Sequence, residues 1–136
     1  MSAVLPAAIV DAHHHLWHLG EGHFPWLQDG YDAEAFFLGD YAVLRRDFGV
    51  ADYRAATEGL PVVATVHVEA ERSRAESLAE TRWLHAVHAK HGFPNAVVAN
   101  VEFLASDAEA QMRAQAEWPL VRGVRCKPRI SRGPDH

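Results

Sequence analysis

Two histidines near the start of the chain, His13 and His15, have the types and spacing best suited to chemistry. In a β-strand, alternate side chains project from the same face, so these two imidazoles would share one side, with Cα atoms about 6.6 to 6.8 Å apart. Imidazole binds zinc, iron, nickel or copper. The spacing therefore predicts that His13 and His15 share one metal ion. His14 should point to the opposite face, and Asp11 is interpreted as a structural carboxylate.

Polar residues also close three later apolar segments. The segments end in His67 and Glu69, in Asn100 and Glu102, and in Arg125 and Lys127, or Cys126 if the register is shifted by one residue. Polar groups at the end of an apolar strand are costly to bury unless they are satisfied. We take Glu69 and Arg125 as the candidate catalytic residues. Arg125 can bind a substrate carboxylate through a two-pronged contact or pair with Glu102.

The elements that would position these residues alternate in type. Strands are predicted over 7–16, 61–70 and 95–104, with a fourth inside 120–130. Helices are predicted over 51–58 and 74–91, and from Ser106 to just before Pro119. Ser73 with Glu76, and Ser106 with Glu109, have the spacing of capping boxes, and Ala79, Trp83, Ala86 and Val87 give the second helix an apolar stripe. A long aromatic-rich loop over 17–47 is predicted to cover the site, because such loops are usually functional.

This order predicts an α/β fold with about four parallel strands. Four βα units are half of a (β/α)8 barrel, in which active-site residues lie at the C-terminal ends of strands. The alternative is a small open α/β sheet, although the sequence contains no glycine-rich phosphate loop. We expect a single, partial barrel domain over 1–136.

Composition limits the function classes. The chain has 136 residues, a net charge of −5 and one cysteine, Cys126. The charge gives no basic footprint for nucleic acid, and no apolar run reaches the roughly 20 residues that span a bilayer. The N-terminal segment lacks the features of a secretory signal. We therefore expect a cytoplasmic protein without a nucleic-acid or membrane partner.

Several motifs together resemble the amidohydrolase-related proteins of the amidohydrolase 2 group, which include fuconolactonase-like and dicarboxylate lactonase-like hydrolases. The motifs are Val10-Asp11-Ala12-His13-His14-His15-Leu16-Trp17, Phe24-Pro25-Trp26-Leu27, Arg45-Arg46-Asp47-Phe48, Val66-His67-Val68-Glu69-Ala70, Glu80-Thr81-Arg82-Trp83-Leu84 and Val121-Arg122-Gly123-Val124-Arg125. The resemblance implies a distorted (β/α)8 barrel that hydrolyses lactone or amide-like bonds in a small-molecule carbonyl substrate. It assigns His13 and His15 to the first-strand metal motif, with zinc as the first expectation and a metal-independent mode as the alternative.

The sequence departs from this family pattern in two ways. Cys126 stands where many relatives carry histidine, and no fifth to eighth strands follow, although the family takes further histidines and a catalytic aspartate from them. We therefore expect a chain that is weakly active or inactive alone. The competing hypothesis is a non-catalytic half-barrel that self-associates as a homo-oligomer or binds a complementing C-terminal half.

Overall fold

One parallel β-sheet organises the computed structural model, which describes residues 6–36 and 39–127. Its strand order is β1-β2-β3-β4, and every neighbouring pair is parallel. The strands are β1 (Ile9–His14), β2 (Val62–Val68), β3 (Ala96–Asn100) and β4 (Val121–Arg125). Each strand lies within its predicted segment. The predicted α/β class with four parallel strands is confirmed, and the sequential order is that of four successive strands in a βα barrel.

Helices connect the strands. They are α1 (Pro25–Gln28), α2 (Val50–Ala56), α3 (Ser77–His91) and α4 (Ala108–Ala116), with short 3-10 turns over Ala42–Leu44 and Arg74–Glu76. The end of α3 follows its sequence signal, because Gly92 takes up the left-handed conformation (φ 81°) that closes a helix. None of the helices in the described part of the chain is long and apolar enough to cross a membrane.

Two clusters form the core. Leu84 of α3 packs on Val97 and Ala99 of β3, with further apolar side chains from β4 around them. The second cluster belongs to the long loop, where Trp17, Phe24 and Leu27 pack with Ala70, the second residue beyond the end of β2. Backbone hydrogen bonds between Trp17 and Phe48 in both directions (3.0 and 3.1 Å) close the base of this loop. The loop is thereby fixed against the C-terminal end of the sheet.

The two predicted capping boxes are wrong. Ser73 makes no capping hydrogen bond through its side chain. Glu76 instead accepts hydrogen bonds from Arg72 (2.7 Å) and from the backbone N–H of His23 (3.0 Å), so a tertiary contact replaces the local one. Helix α4 begins at Ala108, and its N-terminal flanking residue is Asp107 rather than Ser106.

The predicted apolar stripe of α3 is only partly right. Trp83 packs on the core cluster around Leu84, but Ala86 is exposed, and the buried positions are Glu80, Thr81 and Leu84. Two of the three buried side chains are polar and hydrogen-bonded, so hydrophobicity alone does not reveal the whole buried face. This difference matters for the site, because Glu80 contacts the segment that follows β2.

Candidate functional site

A cleft of about 440 Å³ lies at the C-terminal ends of the strands. We call it the histidine cleft, and its lining residues are His13, His15, Trp17, Trp26, Phe36, Leu44, Glu69, Ala70, Glu71, Arg125 and Lys127. The candidate metal ligands and both candidate catalytic residues therefore border one cavity. The ends of the parallel strands and the long loop together form the walls of the histidine cleft. These walls combine aromatic side chains with a small number of polar groups. Such a composition is typical of small-molecule sites.

The imidazoles of His13 and His15 meet in this cleft. Their ring centroids are 4.9 Å apart and the rings are nearly perpendicular, at 80°. Strand β1 ends at His14 and its pairing with β2 is irregular between Asp11 and His14, so strict strand alternation does not explain the meeting. Two imidazoles that bind one zinc through 2.0–2.1 Å bonds at a tetrahedral angle have centroids about 5 Å apart. The spacing is compatible with one shared ion.

A hydrogen bond shows which ring nitrogen of His15 carries the proton. Nδ1 lies 2.7 Å from the backbone carbonyl oxygen of Val68. A carbonyl only accepts hydrogen bonds, so Nδ1 carries the proton and Nε2 keeps its lone pair. Burial of the ring holds the pKa of His15 below its ordinary value of 6.5. A neutral imidazole oriented through its second nitrogen is the form that binds a metal.

The described residues supply only part of a metal site. No group of three or more histidine, cysteine, aspartate or glutamate residues that could hold an ion occurs within 6–36 and 39–127. Catalytic zinc usually has three protein ligands and a water. His13 and His15 would thus be two ligands of an incomplete set, and their metal role stays a prediction.

His14 lies on the other side of the strand, against Tyr53 of α2, with ring centroids 4.7 Å apart. Burial lowers the pKa of His14 to about 4. His67 is completely buried, its Nε2–H donates to the Leu16 carbonyl (3.3 Å), and it does not line the cleft. Asp11 has the expected structural role, because it accepts from the Tyr53 hydroxyl (2.7 Å) and the His13 backbone N–H (3.1 Å).

Glu69 and Arg125 form a close pair across the sheet. The Glu69 side chain is 2% exposed, and its Oε1 accepts from Arg125 Nε at 2.8 Å. Arg125 Nη2 also donates to the main-chain oxygen of Glu69 at 2.8 Å. The other carboxylate oxygen, Oε2, accepts from the Glu71 backbone N–H at 2.9 Å. The considered pairing of Arg125 with Glu102 does not occur, because Arg74 pairs with Glu102 instead.

The remaining candidates have structural contacts. Asn100 accepts from the Ser77 hydroxyl (2.9 Å), and Lys127 binds Glu71 (2.6 Å) at the rim of the cleft. Cys126 does not line the cleft, and its sulfur lies 3.9 Å from a Glu102 oxygen. The histidine pair and Arg125 therefore remain the candidate groups for meeting a ligand in the cleft, and Glu69 holds Arg125 in place.

Glu80 is not among the site residues expected from the sequence. This carboxyl is 3% exposed, lies on the sheet side of α3, and accepts a hydrogen bond from the Ala70 backbone N–H at 2.8 Å. Burial raises its pKa to about 7. A usable signal existed, because Ser77, Glu80, Leu84 and His88 follow helical spacing and place Glu80 on one face with Leu84.

Comparisons with known proteins give one relative of similar sequence and a solved structure of similar fold. No family model matches the chain. The "Uncharacterized protein y4mH" of Sinorhizobium fredii (strain NBRC 101917 / NGR234) is 33% identical over 118 residues, which are 87% of this chain and 39% of that protein. The solved structure "Amidohydrolase 2 from Bifidobacterium longum subsp. infantis" superposes with a TM-score of 0.50 at 21% identity, over 71% of this chain and 34% of that one.

The chain therefore spans well under half the length of either of these two proteins. At 21% identity, the structural likeness concerns the fold alone. It shows that the sheet and helices of this chain have the arrangement of part of an amidohydrolase 2 structure.

Proposed function

We propose that this chain is part of a hydrolase of the amidohydrolase-related type that cleaves a lactone or amide-like bond in a small carbonyl compound. One observation carries the proposal: His13, His15, Glu69 and Arg125 border the same cleft at the C-terminal ends of parallel strands. In βα barrels, that end of the sheet holds the active site. The likeness to an amidohydrolase 2 structure supports the same reaction class.

The histidine pair would hold a divalent metal, with zinc the first candidate. A metal there supplies an activated water near neutral pH and polarises a carbonyl. His15 contributes the lone pair of Nε2, since its Nδ1–H is engaged by the Val68 carbonyl. Because the described residues offer only two imidazoles, further ligands would have to come from elsewhere in the whole protein.

Arg125 would orient the substrate. Its contacts to Glu69 use Nε and Nη2, which leaves the Nη1 amino group to donate to a carbonyl or carboxylate oxygen. Glu69 holds the guanidinium at this position through its buried carboxylate. Trp17 and Trp26, with ring centroids 5.6 Å apart, form an apolar wall that limits water around a bound substrate.

The second candidate function is a non-catalytic half-barrel that binds a partner or a second copy. The sheet favours this second function, because among the described strands β1 and β4 each pair on one side only and leave the other edge unpaired. Val10 and Val63 are also 59% and 64% exposed. Unpaired strand edges and exposed apolar side chains promote association.

Ligand binding to the chain tests the proposal. We would record NMR spectra of the 136-residue protein during titration first with Zn²⁺ and then with γ-butyrolactone as a probe lactone. We expect zinc to shift the His13 and His15 imidazole signals, and the lactone to shift Arg125 Nε–H and the Glu69 amide. His18→Ala is the matched control, because His18 is exposed and pairs with Asp47 outside the cleft. Lactone shifts confined to other surfaces would contradict the proposal.

A further inference from the structure

Glu80 is a buried carboxyl that lies outside the lining of the histidine cleft. It lies on α3 with 3% of its surface exposed, and its Oε1 accepts the backbone N–H of Ala70 at 2.8 Å. Burying a carboxyl is costly unless its hydrogen bonds compensate. The contact joins α3 to the segment that leaves β2 and enters the histidine cleft.

Ala70 is the point where three parts of the fold meet. Its N–H donates to Glu80, while its C=O accepts from the indole Nε1–H of Trp26 at 2.9 Å. Ala70 is itself 4% exposed. One residue therefore connects α3, the end of β2 and the aromatic loop.

Glu71, the next residue, links this segment to the carboxylate of Glu69 in the cleft. Glu71 has a positive φ of 55°, a conformation that L-residues other than glycine adopt uncommonly. In this conformation its N–H donates to Glu69 Oε2 at 2.9 Å. The position of Glu69, and of the Arg125 guanidinium bound to it, thus depends on how the main chain over 69–71 is held.

We propose that Glu80 is a positioning residue of the histidine cleft. By holding the Ala70 N–H, its carboxyl fixes the main chain that orients Glu69 and the carbonyl that anchors Trp26. An effect of Glu80 on catalysis rests on the function proposed above. The structural coupling of Glu80 to Trp26 is independent of that function and can be measured without metal or substrate.

The neighbouring Thr81 provides a matched comparison. It is equally buried on α3, at 1% exposure, and its hydroxyl donates to Gln115 of α4 at 2.7 Å. Thr81→Val removes a buried hydrogen bond from the same helix but on the α4 side. A general loosening of α3 would follow from either substitution, whereas loosening of Trp26 should follow only from a change at Glu80.

Hydrogen exchange of the Trp26 indole N–H and of the Ala70 amide tests the proposal in the whole chain. In Glu80→Ala we expect both to lose protection by about tenfold, as for the loss of a buried hydrogen bond, relative to the core amide of Val97. Glu80→Gln keeps an acceptor oxygen and should restore protection. Thr81→Val should leave the Trp26 indole as in the unchanged protein. Unaltered Trp26 exchange in Glu80→Ala, or equal loosening in Thr81→Val, would overturn the proposal.

If Glu80→Ala does not fold, Glu80→Asp replaces it. The shorter side chain withdraws the carboxyl from Ala70, so Trp26 must exchange faster than in Glu80→Gln, and equal rates would overturn the proposal. The lactone titration of the unchanged protein separates the two hypotheses. Lactone shifts away from Arg125 and Glu69 would contradict the proposed function, and the exchange rates would still decide the role of Glu80.

Discussion

Arg125 binds Glu69 twice, once at the side-chain oxygen Oε1 and once at the main-chain oxygen, each at 2.8 Å. The two residues come from β4 and from the first position after β2, so this contact passes over β3 at the C-terminal edge of the sheet. It fixes the guanidinium beside the histidine pair and satisfies a carboxylate that is 2% exposed. Stability and site geometry are therefore linked at this pair.

Arg125→Met should lower the free energy of unfolding by about 3 kcal/mol, because it leaves the buried Glu69 carboxylate without its charged partner. Chemical denaturation measures this change. Arg122→Met is the control, since Arg122 lies exposed on the same strand and bonds only to main-chain oxygens. Combining Arg125→Met with Glu69→Gln should recover part of the loss, and strictly additive losses would show that the pair is not coupled.

The strands and the cleft residues could be predicted from the sequence because each depends on local pattern. Apolar segments closed by polar residues located the four described strands, and the position of Glu69 and Arg125 at one edge of the sheet followed from parallel pairing. The capping boxes could not be predicted, because long-range contacts decide them, and helical spacing places Glu80 beside Leu84 without showing which contact buries its carboxyl. Glu76 binds Arg72 and His23 rather than Ser73, and Glu80 is buried by its contact with Ala70.

The pH dependence of the free energy of unfolding should reveal the raised pKa of Glu80. Its pKa in the folded protein, about 7, exceeds its ordinary value of 4.5, mainly through burial, with Glu69, Arg72 and Arg125 as the charged groups that act on it. The proton is bound more tightly in the folded state, so this stabilising contribution is complete below pH 4.5 and is lost as pH rises to about 7.

Glu80→Gln cannot ionise and serves as the reference for that measurement. Relative to this variant, the free energy of unfolding of the unchanged protein should fall by up to roughly 3 kcal/mol between pH 4.5 and 7. Denaturant titrations at several pH values measure the difference, in which the other titrating groups largely cancel. A difference that stays constant across this window would show that Glu80 keeps an ordinary pKa.

Hydrolysis by the 136-residue chain should be slow. Two imidazoles are fewer than the three protein ligands usual for catalytic zinc, so we expect a turnover with added zinc well below about one per second, at the low end of the usual enzyme range. A pH-stat assay with simple lactones measures it. Turnover near one per second that His13→Ala abolishes would mean that the chain holds a complete site.

The outer strands predict self-association. Val10→Lys should reduce the oligomer fraction seen by light scattering, because it places a charge on an exposed apolar position of the outer strand β1. Val43→Lys is the control, since Val43 is also exposed but lies in the 3-10 turn over Ala42–Leu44, away from the strands. A cooperative monomer at high protein concentration would contradict the association hypothesis.

A cobalt titration tests the histidine pair most directly, because Co²⁺ reports its ligands through its visible absorption. We expect one Co²⁺ ion to bind per chain. His13→Ala and His15→Ala should each lower the affinity at least about tenfold, because even the loss of a residue that hydrogen-bonds to a metal ligand has an effect of that size. His18→Ala, at an exposed histidine outside the cleft, should bind as the unchanged protein does. Absence of binding, or binding that survives both His13→Ala and His15→Ala, would contradict a metal site in this cleft.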